Sequence, residues 1–342
     1  MTLHTLLRAA ACSLGMAIAI PAAARADDIT LRYSNWLPPG YFVLTDIVEP
    51  WIADVERVTE GRVKIEVLPK VVGTVAGQYD VLIDGLADVS FLTPSYTPGR
   101  FPLIDGMELP FLGDSALRRS PASWRAYEKY IAPTGTFDEV QLISLIAGNT
   151  AHIVTTSKEI ASKDDLAGLK LRTPSPSVSE MVTLLGGTPI SKPFTEIYEL
   201  AAGGAIDGAV IPFETMEAFK LEGALKQITV VPGGMVNTIN ILAINKDKWN
   251  RISEADREAI MSVSGEVVAR RSGEVHQANT DKAMASLPEA GVAFATIPDA
   301  AMPAITEALQ PIRDAWVARA KEAGMDDPEA FLEALEADIK GD

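Results

Sequence analysis

Between Gly168 and Pro212 the chain reads GLKLRTPSPSVSEMVTLLGGTPISKPFTEIYELAAGGAIDGAVIP. A strand reading, Leu169 to Arg172, runs into the loop Thr173-Pro174-Ser175-Pro176 and leaves a lone arginine at the strand end. A guanidinium there is a candidate ligand anchor: it is planar, always charged and offers two parallel donors that match a carboxylate. Its plainer reading is a structural pair with Asp164 or Asp165.

Outward from this stretch, short apolar strands alternate with helical stretches, the pattern of an α/β sheet covered by helices. Ile29 to Asn35 reads as a strand, followed by the breaker Pro38-Pro39-Gly40 and a helix from about Phe42 to Glu60. Arg62 to Leu68 reads as a second strand, Val75 to Gly85 as a helix ending on glycine, and Ala87 to Leu92 as a third strand feeding the loop Thr93 to Gly99. Open α/β sheets bind ligands at such carboxyl-end loops. A short echo, Asp84 to Ser90 against Gly203 to Ala209, suggests two lobes built alike, chance similarity being the alternative. From Ser253, with Asp256 and Glu258 behind it, helical spacing continues to about Leu287 without proline. This predicts one helix of roughly 30 residues, about 45 Å long, crossing from lobe to lobe. Ala300 to Gly324 and Pro328 to Ile339 read as amphipathic packing helices.

The first residues, with Arg8, an apolar run from Ala9 to Ile20 and Ala24-Arg25-Ala26 before Asp27, read as a secretory signal peptide cleaved between Ala26 and Asp27. The run is too short to span a bilayer as a helix. Cleavage leaves 316 of the 342 residues, enough for two cores, and shifts the formal charge from −16 to −18. So acidic a surface argues against nucleic acid or anionic lipid as partner. The single cysteine, Cys12, lies within the apolar run, so the mature chain is expected to have no thiol chemistry.

Catalytic constellations are missing. The sequence holds no GxSxG elbow, Walker loop, HExxH or dinucleotide fingerprint, and of three histidines only His152 and His276 follow the signal segment. No cofactor or metal is expected. Paired acids such as Glu108 and Glu214 are conceivable acid/base groups, with a local cap or pair the favoured reading of Glu108.

Several segments, in order and spacing, resemble the solute-binding proteins of tripartite ATP-independent periplasmic (TRAP) transporters, the DctP-like family. They are Val58-Thr59-Glu60-Gly61-Arg62-Val63, Gly85 to Asp88, Pro98-Gly99-Arg100-Phe101-Pro102-Leu103, Glu108-Leu109-Pro110-Phe111, and above all Gly168-Leu169-Lys170-Leu171-Arg172 through Asp207-Gly208. The resemblance implies two α/β lobes, each a mostly parallel sheet flanked by helices, with a long helix crossing both. The expected boundaries are 27–151 plus 239–280 and 152–238 plus 281–342, with a hinge near Ala151 and Asn237. It implies that Arg172 forms a bidentate pair with a substrate carboxylate, that Phe194 contacts the ligand, and that Trp36, Tyr41 and Tyr96 supply apolar walls. Core packing is the competing reading for each aromatic.

One departure stands in the second-lobe loop. Ile211-Pro212-Phe213-Glu214 has isoleucine where many relatives carry asparagine, which points to a less polar ligand or one whose amine meets Glu214, the alternative being a solvated loop acid. Ser175, Phe213, Asn149, His152 and Asn237 complete the candidate set; the asparagines and histidine, with Asn240, either line the cleft or cap the hinge backbone. The resemblance also implies a periplasmic location and small and large integral membrane partners that recognise the closed form. A monocarboxylate is the first expectation, because a second facing cation is not visible; Lys192 and Arg100 are the reserves. A secreted carboxylate-based enzyme on a sugar acid or lactone, and a sensory module, are the alternatives.

Overall fold

The computed structural model describes residues 28–341, so the proposed signal segment 1–26 lies outside the described residues. Ten strands form the sheet: β1 (Ile29–Ser34), β2 (Val63–Val67), β3 (Val89–Leu92), β4 (Val140–Thr155), β5 (Lys170–Thr173), β6 (Thr188–Ser191), β7 (Gly208–Ile211), β8 (Gln227–Val230), β9 (Val236–Asn245) and β10 (Ala293–Thr296). Their order is β2-β1-β3-β9-β4-β7-β5-β6, with β8 paired to β4 and β10 to β8. β2-β1-β3 and β6-β5-β7 are two parallel triplets. Between them run the antiparallel β4 and β9.

β4 joins the two lobes. Its first part, to Ala151, pairs with β9, whereas His152–Thr155 pair with β7 and β8. The strand reads as a near-continuous apolar run because it is covered on both faces. Its register with β9 slips between Ala147 and Thr150. A bulge of this kind re-aims side chains, and here it turns Gly148 and Asn149 into the interlobar cleft. Each triplet has its own core: Leu31, Ile47, Trp51 and Ile260 on one side, Ile197, Ile211, Met216 and Leu287 on the other.

The Asp84–Ser90 echo is a true structural repeat. Asp88 accepts from the Arg32 amide of β1 at 2.9 Å, and Asp207 accepts from the Lys170 amide of β5 at 2.8 Å. Each aspartate returns its own amide to the same residue's carbonyl. In each copy the preceding helix ends on a glycine with φ near +70°, Gly85 and Gly204, a conformation that favours glycine. Matching the copies puts Arg172 of β5 where Ser34 stands in β1.

The single helix expected from Ser253 to Leu287 is two, Glu254–Ser262 and Glu266–Ser286. The break is at Gly265, φ +57°, whose amide donates to Ile143 O at 2.8 Å and whose carbonyl accepts from Ser144 Oγ at 2.9 Å. The amide bond to β4 takes the place of a helical one, while the carbonyl accepts from Ser144 in addition to the Ala269 amide of the next turn. The second helix, about 31 Å long, still crosses the lobes: Val268 lies in the first core, Ala283 in the second. The expected helix at Val75–Gly85 is confined to Gln78–Ile83. The last helix, Pro328–Lys340, lies against Ala116–Ala126, on the side of the first lobe.

Candidate functional site

At the carboxyl ends of the parallel strands, between the lobes, lies a cavity of about 90 Å³. Arg172 reaches it from β5 and is 1 % exposed. Its Nε donates to Lys192 O at 2.8 Å, its guanidinium carbon sits 5.4 Å from the Phe194 ring centre, and its Nη2 has no partner. Neither nearby aspartate neutralises it. Asp165 is occupied with the amides of Ala161 and Ser162 at 3.1 and 3.0 Å. Burial pulls the Arg172 pKa down, opposed by the adjoining Tyr96 hydroxyl and Glu196. A buried cation with a free donor is costly, and an anion offers the missing partner.

Aromatic rings make the walls. Trp36 is fixed by its indole N–H on Phe91 O at 2.7 Å and stands 6.5 Å from Tyr96. Phe219 packs against Phe194 at 4.4 Å and edge-on to Tyr41 at 5.5 Å, so that these three form one continuous run of rings. The Tyr41 phenol is pushed well up by burial, with Glu214 and then Tyr96 adding to the rise. Tyr41 therefore stands between the Arg172–Tyr96 end and the Glu214 end.

That second end is polar. Glu214 and His276 line the cavity, the Glu214 side chain 1 % and the His276 side chain 7 % exposed. Both Glu214 oxygens and both His276 ring nitrogens lack hydrogen-bond partners. His276 Nδ1 is 3.6 Å from Glu214 Oε1, beyond a direct hydrogen bond. Glu214 is thus no solvated loop acid: the turn after β7 carries it inward.

Of the residues singled out from sequence, Arg172, Phe194, Trp36, Tyr41, Tyr96, Asn149 and Glu214 line the cavity. Asn149 also braces the crossing helix, its Nδ2 donating to His276 O at 2.7 Å. Four others lie outside the wall. Phe213 is in the second lobe's core, stacked on His152 at 5.5 Å. His152 accepts from the Val231 amide at 3.2 Å, and burial, with Arg119 nearby, holds its pKa down at about 4. Ser175 caps the helix Pro176–Leu184. Asn237, with its amide oriented to suit both neighbours, donates to Gly148 O at 2.8 Å and accepts from Arg119 Nε at 3.2 Å. The reserve cations are engaged elsewhere: Lys192 with Glu196 at 3.1 Å, and Arg100 with Asp80 at 2.5 Å.

His276, Phe219, Thr238 and Asn240 also line the cavity. Asn240 was open in sequence to either the cleft or the hinge, and the structure places it in the cavity wall; His276 was visible without an assigned place, and Phe219 and Thr238 carry no signal that sets them apart. Arg119, buried and lowered to about 10 chiefly by desolvation, also escaped the sequence reading. It ties Gly113, Thr150 and Gly148 together beside the bulge.

The fold is a two-lobed α/β one with a buried cavity between the lobes. The comparisons agree: the family described as bacterial extracellular solute-binding protein, family 7, matches residues 33–320, and the chain belongs to it. Among solved structures, a TRAP periplasmic solute-binding protein from Bordetella bronchiseptica with bound (R)- and (S)-mandelate is 34 % identical, TM-score 0.88, over 92 % of this chain and 99 % of that one. A marine metagenome TRAP protein specific for aromatic acid ligands, complexed with metahydroxyphenylacetate, is 26 % identical, TM-score 0.85, over 92 % and 99 %. One from Rhodoferax ferrireducens with copurified benzoate is 26 % identical, TM-score 0.85, over 92 % and 98 %.

Proposed function

We propose that this protein captures a small aromatic monocarboxylate for a TRAP transporter. The observation that carries the reading is the fully buried Arg172, with Nη2 unpaired, inside an aromatic-walled cavity. The guanidinium takes the carboxylate bidentately, while Trp36, Tyr41, Phe194 and Phe219 enclose an apolar ring. The ligands of the three similar structures are all aromatic acids, which supports the same class here.

Capture follows from closure. Bodies 27–151 with 239–280 and 152–238 with 281 onward swing about Ala151 and Asn237, where β4 changes partners; Pro328–Lys340 rides with the first body because it packs there. Closure expels water and strengthens the ion pair, and a ligand drives it only as far as it prefers the closed state. A signal peptide cleaved after Ala26 delivers the protein to the periplasm, where small and large integral membrane subunits recognise the closed form. Among the described residues no helix is long and apolar enough to cross a membrane. The protein binds its ligand and releases it unchanged.

Calorimetry and thermal shift against benzoate, mandelate, succinate and glucuronate test this. Aromatic monocarboxylates should raise the melting temperature and be recovered intact by mass spectrometry. Stabilisation by succinate or glucuronate alone, or appearance of a product, refutes the reading.

A further inference from the structure

We infer that Glu214 and His276 form a specificity pole that reads a hydroxyl group on the acid, at the end of the cavity away from Arg172. The inference rests on the proposed aromatic-acid reading and adds a second determinant to it. Glu214 presents two carboxyl oxygens and His276 two ring nitrogens, all buried and none with a hydrogen-bond partner, the two groups facing each other at 3.6 Å. Desolvated polar groups without hydrogen-bond partners are unfavourable, so the cavity favours a ligand atom that satisfies them.

The two ends are distinct. Arg172 has Tyr96 and Glu196 as its charged or polar neighbours, whereas Glu214 adjoins Tyr41 and His276, with the buried Arg119 nearby. A chain of ring contacts, Phe194 to Phe219 to Tyr41, runs from Arg172 to the neighbourhood of Glu214. A carboxylate on Arg172 therefore directs the far side of the ligand body toward Glu214. The donor inventory favours hydroxyl over amine. A hydroxyl donates to the Glu214 carboxylate and accepts from an imidazole N–H, meeting both groups with one atom; an ammonium only donates. Sites built around a ligand hydroxyl reject the analogue that lacks it, because their own polar groups are then left unpaired.

The experiment is a calorimetric series on the full mature protein with benzoate, the three hydroxybenzoates, mandelate, the methoxybenzoates and 3-aminobenzoate. At least one hydroxylated acid should bind tenfold or more tightly than its unhydroxylated parent, and methylating that hydroxyl should remove the gain. Glu214→Leu, checked for folding by circular dichroism, should shrink the ratio between hydroxylated acid and parent to within about twofold. His276→Gln gives a second, smaller reduction and stands in if the leucine variant does not fold. The inference is overturned if benzoate binds but no hydroxyl adds affinity, if the ratio survives in both variants, or if the amine gains and the hydroxyls do not. Failure of every aromatic acid to bind, with succinate or glucuronate bound instead, defeats the underlying reading and the inference with it.

Discussion

Replacing Arg172 with methionine separates what the side chain costs from what it does. In the structure the guanidinium is 1 % exposed, donates from Nε to Lys192 O, adjoins the Tyr96 hydroxyl, and leaves Nη2 unmatched. Methionine fills similar volume without the charge, at the expense of that one bond, worth about 1 kcal/mol. Removing an uncompensated buried charge offsets this loss, and such replacements are often neutral or stabilising. The ligand-free variant should therefore melt no lower than the wild type by more than a few degrees. Binding should suffer far more. Truncating one side of a buried charge pair costs about 2–5 kcal/mol, roughly thirty-fold to a few thousand-fold in Kd. At a ligand concentration of about 100 Kd the wild type gains about 2.7 kcal/mol. A variant weakened about three-hundred-fold would gain about 0.2 kcal/mol at the same concentration. Differential scanning fluorimetry with and without benzoate reads both quantities, and calorimetry gives the Kd. If Arg172→Met binds within threefold of wild type while folded, the carboxylate does not sit on Arg172 and the site reading is wrong. Arg172→Lys should also lose affinity, because an ammonium lacks the two-donor fork.

Burial, with Asp105 adding to it, raises Glu108 to about 8 from an ordinary 4.5, while its Oε1 accepts from the Ile239 amide at 2.8 Å. The folded state binds this proton more tightly than the unfolded chain, so stability should fall as pH rises between about 4.5 and 8. Glu108→Gln, which keeps an acceptor for Ile239, should flatten that part of the urea-midpoint profile; parallel slopes for variant and wild type would count against it. The paired aspartates give a third test. Asp88→Ala should destabilise by about 1–3 kcal/mol, and Asp207→Ala by less, because Asp88 is 1 % exposed and also holds Arg32, whereas Asp207 is only half-buried. Equal losses in urea unfolding would refute the ranking.

The sequence carried what is local. Apolar runs closed by glycine, the paired Asp88 and Asp207, and the strand ending in Arg172 were legible because strand alternation, helix stops and capping act within a few residues. Arg172 at that strand end, and the aromatic residues that the family resemblance added, do line the cavity. The break at Gly265 was not legible, since it depends on Ile143 and Ser144, more than a hundred residues away in sequence. Nor was the fate of Phe213, His152 and Glu214: neighbours in a loop or across a strand pair, they face a core, a backbone amide and the cleft. Which face each residue presents was decided when β4 paired with β7, β8 and β9 and bulged beside Asn149. Composition and order thus determined two repeated α/β lobes and one strand ending in arginine; only the long-range pairing of the strands, and the helix laid across them, brought Glu214 and His276 into the same cavity as Arg172 and left their polar atoms without hydrogen-bond partners.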